Sequence, residues 1–318
     1  MKKILVTGCA GFIGSSLTDA LLNKGFSVIG IDNFDTYYSK SLKQDNLKNA
    51  FQNKNFSFVE GDICSVTDLK KIDTDVDLVV HLAAKAGVRP SIENPEAYVN
   101  TNIVGTQNIL NWMKTNSISK LVFSSSSSVY GNNSKTPFSE NDNVDKPISP
   151  YAFTKKSCEL LNYTFHHLYN FDIINLRFFT VFGPRQRPDL AIRKFVDLIL
   201  KNEAIPVFGD GNTGRDYTYI DDIVQGIINS IEYLVTNKNV YEIINLGNSS
   251  PIKLIELVTE IYTILGKQKN INFLPMQEGD VDLTFADISK AKKLLNYAPT
   301  VSLKQGLANF INWYEATK

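Results

Sequence analysis

The stretch Lys3-Ile4-Leu5-Val6-Thr7-Gly8-Cys9-Ala10-Gly11-Phe12-Ile13-Gly14 constrains the fold more than any other part of the chain. Its first five residues have the profile of a short parallel strand buried on both faces. Glycines follow at Gly8, Gly11 and Gly14, and Ser15 to Asn23 then carries helical periodicity. Strand, glycine loop and helix in direct succession is the context that turns a glycine pattern into a dinucleotide site. The glycines permit the tight turn and let a pyrophosphate reach the backbone N–H groups at the helix start, around Gly11, Phe12, Ile13 and Gly14. The spacing is G-x-x-G-x-x-G rather than the commoner G-x-G-x-x-G, and Cys9 within it reads as a small filler.

A second strand, Ser27 to Ile31, ends at Asp32-Asn33. An acid there accepts both ribose hydroxyls and repels a 2′-phosphate, which favours NAD over NADP. Strands at Phe56 to Glu60 and Asp77 to His81 end in Gly61-Asp62-Ile63 and Leu82-Ala83-Ala84. Small residues at a strand's carboxyl end leave room for a flat ligand, although plain packing explains them too. From Pro95 to Met113 apolar residues recur at helical spacing, and Asn102 on that face is either a satisfied polar core residue or a cofactor contact. A fifth strand, Leu121 to Phe123, runs into five serines, Ser124 to Ser128, and a sixth spans Asp172 to Phe179. Strands alternating with helices predict an α/β fold with a Rossmann-type doubly wound parallel sheet.

Beyond Gly183-Pro184 the rhythm changes to short strands, helices and turn-rich loops bearing Arg185, Arg187, Arg193 and Arg215. This half reads as a smaller C-terminal α/β domain for substrate, interleaved with the first. Residues 1–180 are expected to bind the cofactor; residues 181–318 mainly bind substrate, with some segments returning to the first unit. Guanidinium forks on loops facing a crevice suit an anionic ligand.

The 318 residues carry 33 Lys and Arg against 33 Asp and Glu, a formal net charge of zero. No basic run stands out, so nucleic acid and anionic membranes are not expected partners. The apolar run at the N-terminus is too short for a signal peptide or membrane span. Cys9, Cys64 and Cys158 are an odd number without metal spacing, and the three histidines form no cluster. Reduced thiols, no metal and a cytoplasmic location are the expectation.

Tyr151 and Lys155, behind Ser149-Pro150, stand one turn apart on a helix face. A tyrosine of pKa about 10 is a poor base at neutral pH. An ammonium at 4 Å favours the phenolate by about 4 kcal/mol at an effective dielectric near 20, roughly three pKa units. A Tyr-x-x-x-Lys pair alone reads either as solvated helix surface or as a general base with its activating cation, and the glycine loop and the serine run at a strand tip favour the second.

Together these pieces resemble the extended short-chain dehydrogenase/reductase family, specifically its nucleotide-sugar epimerases, over nearly the whole chain. The likeness rests on Gly8, Gly11 and Gly14, Asp32, Asp62-Ile63, His81-Leu82-Ala83-Ala84, Asn102 to Thr106, the serine run before Val129-Tyr130-Gly131, and Tyr151 with Lys155. Later stretches add Arg215 to Asp222, Gly279-Asp280-Val281 and Ala286-Asp287. The resemblance implies NAD as a bound catalyst, in contact with Asn33, Asp62, Ile63, Leu82, Ala83, Ala84, Asn102, Tyr151 and Lys155. It implies that Tyr151 takes the proton of a sugar 4-hydroxyl, that Lys155 lowers its pKa and holds the nicotinamide ribose, and that Ser126 shares a hydrogen bond with the reacting oxygen. Dehydratases of the family carry Asp-Glu where this chain has Ser127-Ser128, and decarboxylases carry a glutamate at Ser128; serine cannot replace those carboxylates. The stretches Ala86 to Pro95 and Arg177 to Asp189 look like UDP-glucuronate 4-epimerases, which implies interconversion of UDP-glucuronate and UDP-galacturonate. By the same likeness Ser127, Ser128 and Thr180 take the sugar carboxylate, Arg185 and Arg215 the diphosphate, and Phe208 the uracil, with Arg89 and Asp280 also at the substrate. Gln277 and Thr180 stand where UDP-galactose epimerases have arginine and asparagine, which points away from UDP-glucose; UDP-N-acetyl sugars stay open. The family also implies a homodimer paired through the helices near Pro95 to Met113 and Tyr151 to Tyr169.

Overall fold

The computed structural model describes residues 2–275 and 282–317, so Gln277, Gly279, Asp280 and Val281 lie outside the described residues. The chain begins with β1 (Lys3–Thr7), α1 (Phe12–Asn23), β2 (Ser27–Asp32), α2 (Lys40–Asn46), β3 (Phe56–Glu60), α3 (Val66–Leu69) and β4 (Leu78–His81). Next come α4 (Val88–Glu93), α5 (Pro95–Tyr98), a π-helical turn (Val99–Val104), α6 (Gly105–Thr115), β5 (Lys120–Ser126) and a 3-10 turn (Ser127–Tyr130). The catalytic candidate helix α7 (Pro150–Tyr169) leads into β6 (Asp172–Phe178), β7 (Thr180–Phe182), α8 (Ala191–Leu200), β8 (Ile205–Phe208) and β9 (Gly214–Tyr219). The remainder is α9 (Ile220–Thr236), β10 (Tyr241–Leu246), β11 (Pro251–Lys253), α10 (Leu254–Leu265), β12 (Ile271–Leu274), α11 (Ser289–Leu295) and α12 (Leu303–Ala316).

Seven parallel strands form the central sheet in the order β10-β6-β5-β4-β1-β2-β3. From β1 the chain winds one way through β2 and β3, then the other way through β4, β5 and β6. The crevice between β1 and β4 is thus the switch point at which open α/β sheets bind ligands. Alternate residues along each strand feed opposite faces. Ile4, Val6, Val28, Val80 and Ile174 pack with Leu17 and Leu21 of α1 and Ile223 and Ile227 of α9. Leu5, Ile29, Val79, Leu121 and Ile173 pack on the other side with Ile109, Leu110 and Met113 of α6 and Phe165 of α7. The Rossmann-type doubly wound sheet expected from the strand–helix alternation is the fold observed.

Late segments form two small sheets, β11-β9-β7 and β12-β8, while β10 pairs with β6 at the edge of the main one, with Ile244 opposite Leu176. Two boundaries differ from the sequence reading. The helix expected over Pro95 to Met113 is interrupted by the π-helical turn, and Asn102 within it is buried with its amide turned inward. The fifth strand runs on through Ser124, Ser125 and Ser126, because these residues continue the register with Leu176, Arg177 and Phe178 of β6. Among the described residues no helix is long and apolar enough to cross a membrane.

Candidate active site

A cleft of about 820 Å3 lies along the carboxyl edge of the central sheet, and its walls bring most of the expected residues together. Gly8, Gly11, Phe12, Ile13, Gly14, Asp32, Asn33, Asp62, Ile63, Leu82, Ala83, Ala84, Ser126, Ser127, Ser128, Tyr151, Lys155 and Thr180 all line it.

At one end the wall is backbone. Gly8 takes φ +69 and packs so tightly that an added Cβ would lie 2.8 Å from Ala83 Cα, while one on Gly14 would lie 2.1 Å from the Gly8 carbonyl oxygen. Gly11 caps α1, whose first turn carries no acidic side chain, so its free N–H groups face the cleft. This cradle, which any side chain would fill, fits a pyrophosphate. Asp32 is nearly buried; its carboxylate accepts from Ala10 N at 3.1 Å and Phe34 N at 2.8 Å. Burial nonetheless pushes its pKa above the usual value. Asn33 Nδ2 donates to Asp62 Oδ2 at 3.0 Å, tying the ends of β2 and β3.

His81, structural in the sequence reading, closes the floor. Its Nδ1 lies 2.6 Å from Thr7 Oγ1, which accepts from the Leu82 and Ala83 N–H groups at 3.1 Å each. Because that oxygen already accepts two protons, its own hydrogen goes to His81 Nδ1, and Nε2–H faces Thr106 Oγ1 at 3.1 Å. Full burial pushes the imidazole down to about 3. Asn102 is placed behind the wall rather than in it: Oδ1 accepts from Lys85 N at 2.8 Å, and Nδ2 donates to Lys85 O and Thr154 Oγ1 at 3.0 and 2.9 Å. Its amide is fully engaged in joining the β4 loop to α7, which is the polar core role rather than direct contact with a ligand.

At the other end the wall is side chains. Ser149 caps α7 by accepting from Ala152 N at 3.1 Å, Pro150 fills the first turn, and Tyr151 N donates to Ser91 Oγ of α4 at 3.1 Å. The Tyr151 ring is therefore presented at a fixed helix start, edge-on to Tyr98 with centroids 6.2 Å apart. Ser126 Oγ accepts from Ser128 N at 3.2 Å and from Ser128 Oγ at 2.8 Å, leaving its own proton for the Tyr151 oxygen. One turn on, buried Lys155 donates to Ser124 O at 2.7 Å above the Phe123 ring, and burial pushes it down to about 8. Burial pushes the Tyr151 phenol above its ordinary value, opposed by the Ser126 bond and the Arg187 guanidinium. The Lys155 ammonium, held on a backbone carbonyl, is not among the groups that lower the Tyr151 pKa, whereas the spacing led one to expect it to be the main one. Beneath this group Arg177 and Glu159, each 1% exposed, form a two-pronged pair with both bonds at 2.9 Å, and Ser125 Oγ donates to the same carboxylate at 2.6 Å.

Four further expected residues are placed away from the cleft wall. Arg185, in the left-handed region at φ +67, pairs with Asp19 of α1 at 2.6 Å. Arg89 stacks on Phe208 at 5.3 Å, so the structure brings these two together. Arg215 Nη1 donates to Gly214 O at 2.9 Å. Asp280 lies outside the described residues. Arg187, named from the sequence only as one of four loop arginines and given no role of its own, is the one of them that lines the cleft: it forks Asp189 and stacks on Tyr37 at 5.4 Å. Nothing local distinguishes Arg187 from Arg185 in Arg185-Gln186-Arg187; with a left-handed turn at Arg185, one is paired to Asp19 of α1 and the other lines the cleft.

Residues 5–310 match the model of the family described as GDP-mannose 4,6 dehydratase. A UDP-glucuronate 4-epimerase of Thermodesulfobacterium geofontis is 46% identical over 316 residues, 98% of this chain and 96% of that one. The crystal structure of UDP-glucuronic acid 4-epimerase from Bacillus cereus, in complex with UDP-glucuronic acid and NAD, superposes with a TM-score of 0.94 at 40% identity, over 99% of this chain and 100% of that one. UDP-N-acetylglucosamine 4-epimerase from Methanobrevibacter ruminantium, in complex with UDP-N-acetylmuramic acid, gives 0.91 at 34%, over 100% and 99%. With the family model matched over residues 5–310, these relatives covered almost end to end and the seven-stranded Rossmann-type sheet in common with them, the chain belongs to the extended short-chain dehydrogenase/reductase family, in the branch matched by the GDP-mannose 4,6 dehydratase model.

Proposed function

We propose that the protein is an isomerase, an NAD-dependent 4-epimerase that interconverts UDP-glucuronate and UDP-galacturonate. The observation that carries this reading is that Ser126, Tyr151 and Lys155 line one cleft continuous with the glycine cradle, beside a 3-10 turn whose Ser127 and Ser128 carry no charge. Among the described residues the carboxylates lining the cleft are Asp32, Asp35, Asp62 and Glu93, and none is on that turn. Dehydration needs an acid and a base beside the tyrosine, so the reaction in the family model's name is not the one these residues support.

NAD, when bound, supplies a positively charged ring that accepts the C4 hydride and returns it. Tyr151 takes the proton of the 4-hydroxyl and gives it back, and Ser126 holds the reacting oxygen. Lys155, fixed by Ser124, keeps a donor under the ribose side of the cleft. The 4-keto sugar turns over between the two transfers, so no net oxidation results. Ser127, Ser128 and Thr180 offer neutral donors to a sugar carboxylate, and Arg187 adds a cation on the same side. Residues 1–180, which carry the glycine cradle, hold the cofactor, and residues 181–318 mainly hold the nucleotide sugar.

Incubation with UDP-glucuronate, UDP-glucose and UDP-N-acetylglucosamine in parallel, with chromatographic separation of the epimers, tests the reading. Turnover of the first is expected; turnover confined to a neutral sugar, or accumulation of NADH, overturns it. A cytoplasmic homodimer completes the proposal. Phe153, Leu160, Tyr163 and Leu168 leave a 47–62% exposed apolar stripe along α7, next to Val99 and Val104. Such a stripe suits pairing with a second copy, and a monomer in sedimentation would exclude it.

A further inference from the structure

Two loops from opposite sides of the cleft meet at its mouth. Tyr37, on the loop that follows β2 beside the nucleotide-facing Asp32, donates from its hydroxyl to Asp189 Oδ2 at 3.2 Å across 152 residues of sequence. Asp189, on the loop that follows β7, is gripped by Arg187 through Nε at 3.0 Å and Nη2 at 2.8 Å, so one carboxylate oxygen joins phenol and guanidinium. The Tyr37 ring also lies under the guanidinium, 5.4 Å from its carbon. Tyr37 and Arg187 both line the cleft that Tyr151 lines, and the Arg187 side chain is only 18% exposed although its loop is at the surface. An arginine in a loop has many rotamers, and this one is held in a single direction by three contacts that it does not own.

We propose that Tyr37 and Asp189 are positioning residues for the epimerisation: by clasping Arg187 they hold its guanidinium on the cleft side, facing the end where Tyr151 meets the sugar. The loop bordering the cofactor end thereby sets a cation on the substrate side, and the two halves of the site are assembled together. The clasp rests on the epimerase reading for the reaction that it serves, but not for its geometry. The charged and titratable groups around Tyr151 are Lys155 on its own helix, Tyr98 from α5 and Arg187 from the clasped loop. Of these, Arg187 is the cation on a surface loop, and its direction depends on Tyr37 from the loop across the cleft as well as on Asp189.

The test is a double-mutant cycle on the NAD-loaded enzyme, using whichever UDP-sugar the wild type turns over, so that a wrong sugar does not obscure the result. Tyr37→Phe and Asp189→Asn are expected to lower kcat/KM about tenfold, and Arg187→Ala about a hundredfold. In the Arg187→Ala background Tyr37→Phe is expected to have no further effect, while with Arg187 present Asp189→Glu is expected to keep part of the activity that Asp189→Asn loses. UDP affinity by calorimetry and Tm are expected to stay at wild-type values in Tyr37→Phe, separating orientation from folding. An undiminished tenfold loss in the Arg187→Ala background, or wild-type activity in both Tyr37→Phe and Asp189→Asn, overturns the proposal.

Discussion

At the β1–β3 end of the cleft the walls are made of main chain, and at the β5–β7 end they are made of side chains held by other side chains. The first is set by Gly8 and Gly14, whose neighbours stand where a Cβ would be, and by N–H groups that cannot point elsewhere once α1 forms. The second depends on Ser126 oriented by Ser128, Lys155 by Ser124, Arg187 by Asp189, and Tyr151 by the cap of α7. A main-chain wall suits a bound group that is the same in every turnover. A side-chain wall can be rebuilt for a different sugar or reaction without touching the fold, which fits a chain that matches a family model described as a dehydratase and is similar to proteins described as epimerases.

The sharpest break of this contrast is Tyr151→Phe. It removes one oxygen from the side-chain end and should lower kcat by three to four orders of magnitude, about 5 kcal/mol of barrier, while NAD content stays at the wild-type level. Loss of NAD together with activity would mean that the two ends are not separable. At the main-chain end, Gly14→Ala should do the reverse: one methyl group against the Gly8 carbonyl should cost about 3 kcal/mol of stability and abolish NAD binding, read by urea unfolding and calorimetry.

His81 offers a third test, by pH. Burial holds its folded pKa near 3, below the unfolded value of about 6.5, so the unfolded chain binds a proton that the folded chain refuses. This contribution is fully present above about pH 6.5 and is lost as pH falls towards 3; between pH 7 and 5 it removes about 2 kcal/mol. Unfolding free energies of wild type and His81→Asn at the two pH values should show that slope only in the wild type. The smallest effect belongs to Arg185→Ala. Its partner is Asp19, and both side chains are partly exposed, so a loss under about 1 kcal/mol and turnover within about twofold are expected. A large loss of activity would return Arg185 to the substrate.

The sequence made the main-chain end legible because its information is local. Glycine spacing, an acid after β2 and small residues after β3 and β4 act within a few residues of where they stand. Tyr151 and Lys155 were legible for the same reason, since a helix fixes their relation. Arg185, Arg187 and Asn102 were not. Whether an arginine two residues from another faces Asp19 or the cleft depends on a left-handed backbone turn, and whether Asn102 meets a ligand depends on which partners the π-helical turn presents to it.

The order of apolar runs and glycines by itself determined that this chain winds into a doubly wound parallel sheet with a nucleotide cradle at its switch point, because period and chain reversal are properties of consecutive residues. Tertiary structure alone decided which charges act on the Tyr151 phenol. Lys155 came to rest on Ser124 O, and Arg187 came into reach through Asp189 and Tyr37. Coulomb energies depend on distances between residues far apart in sequence, and on how deeply folding buries them.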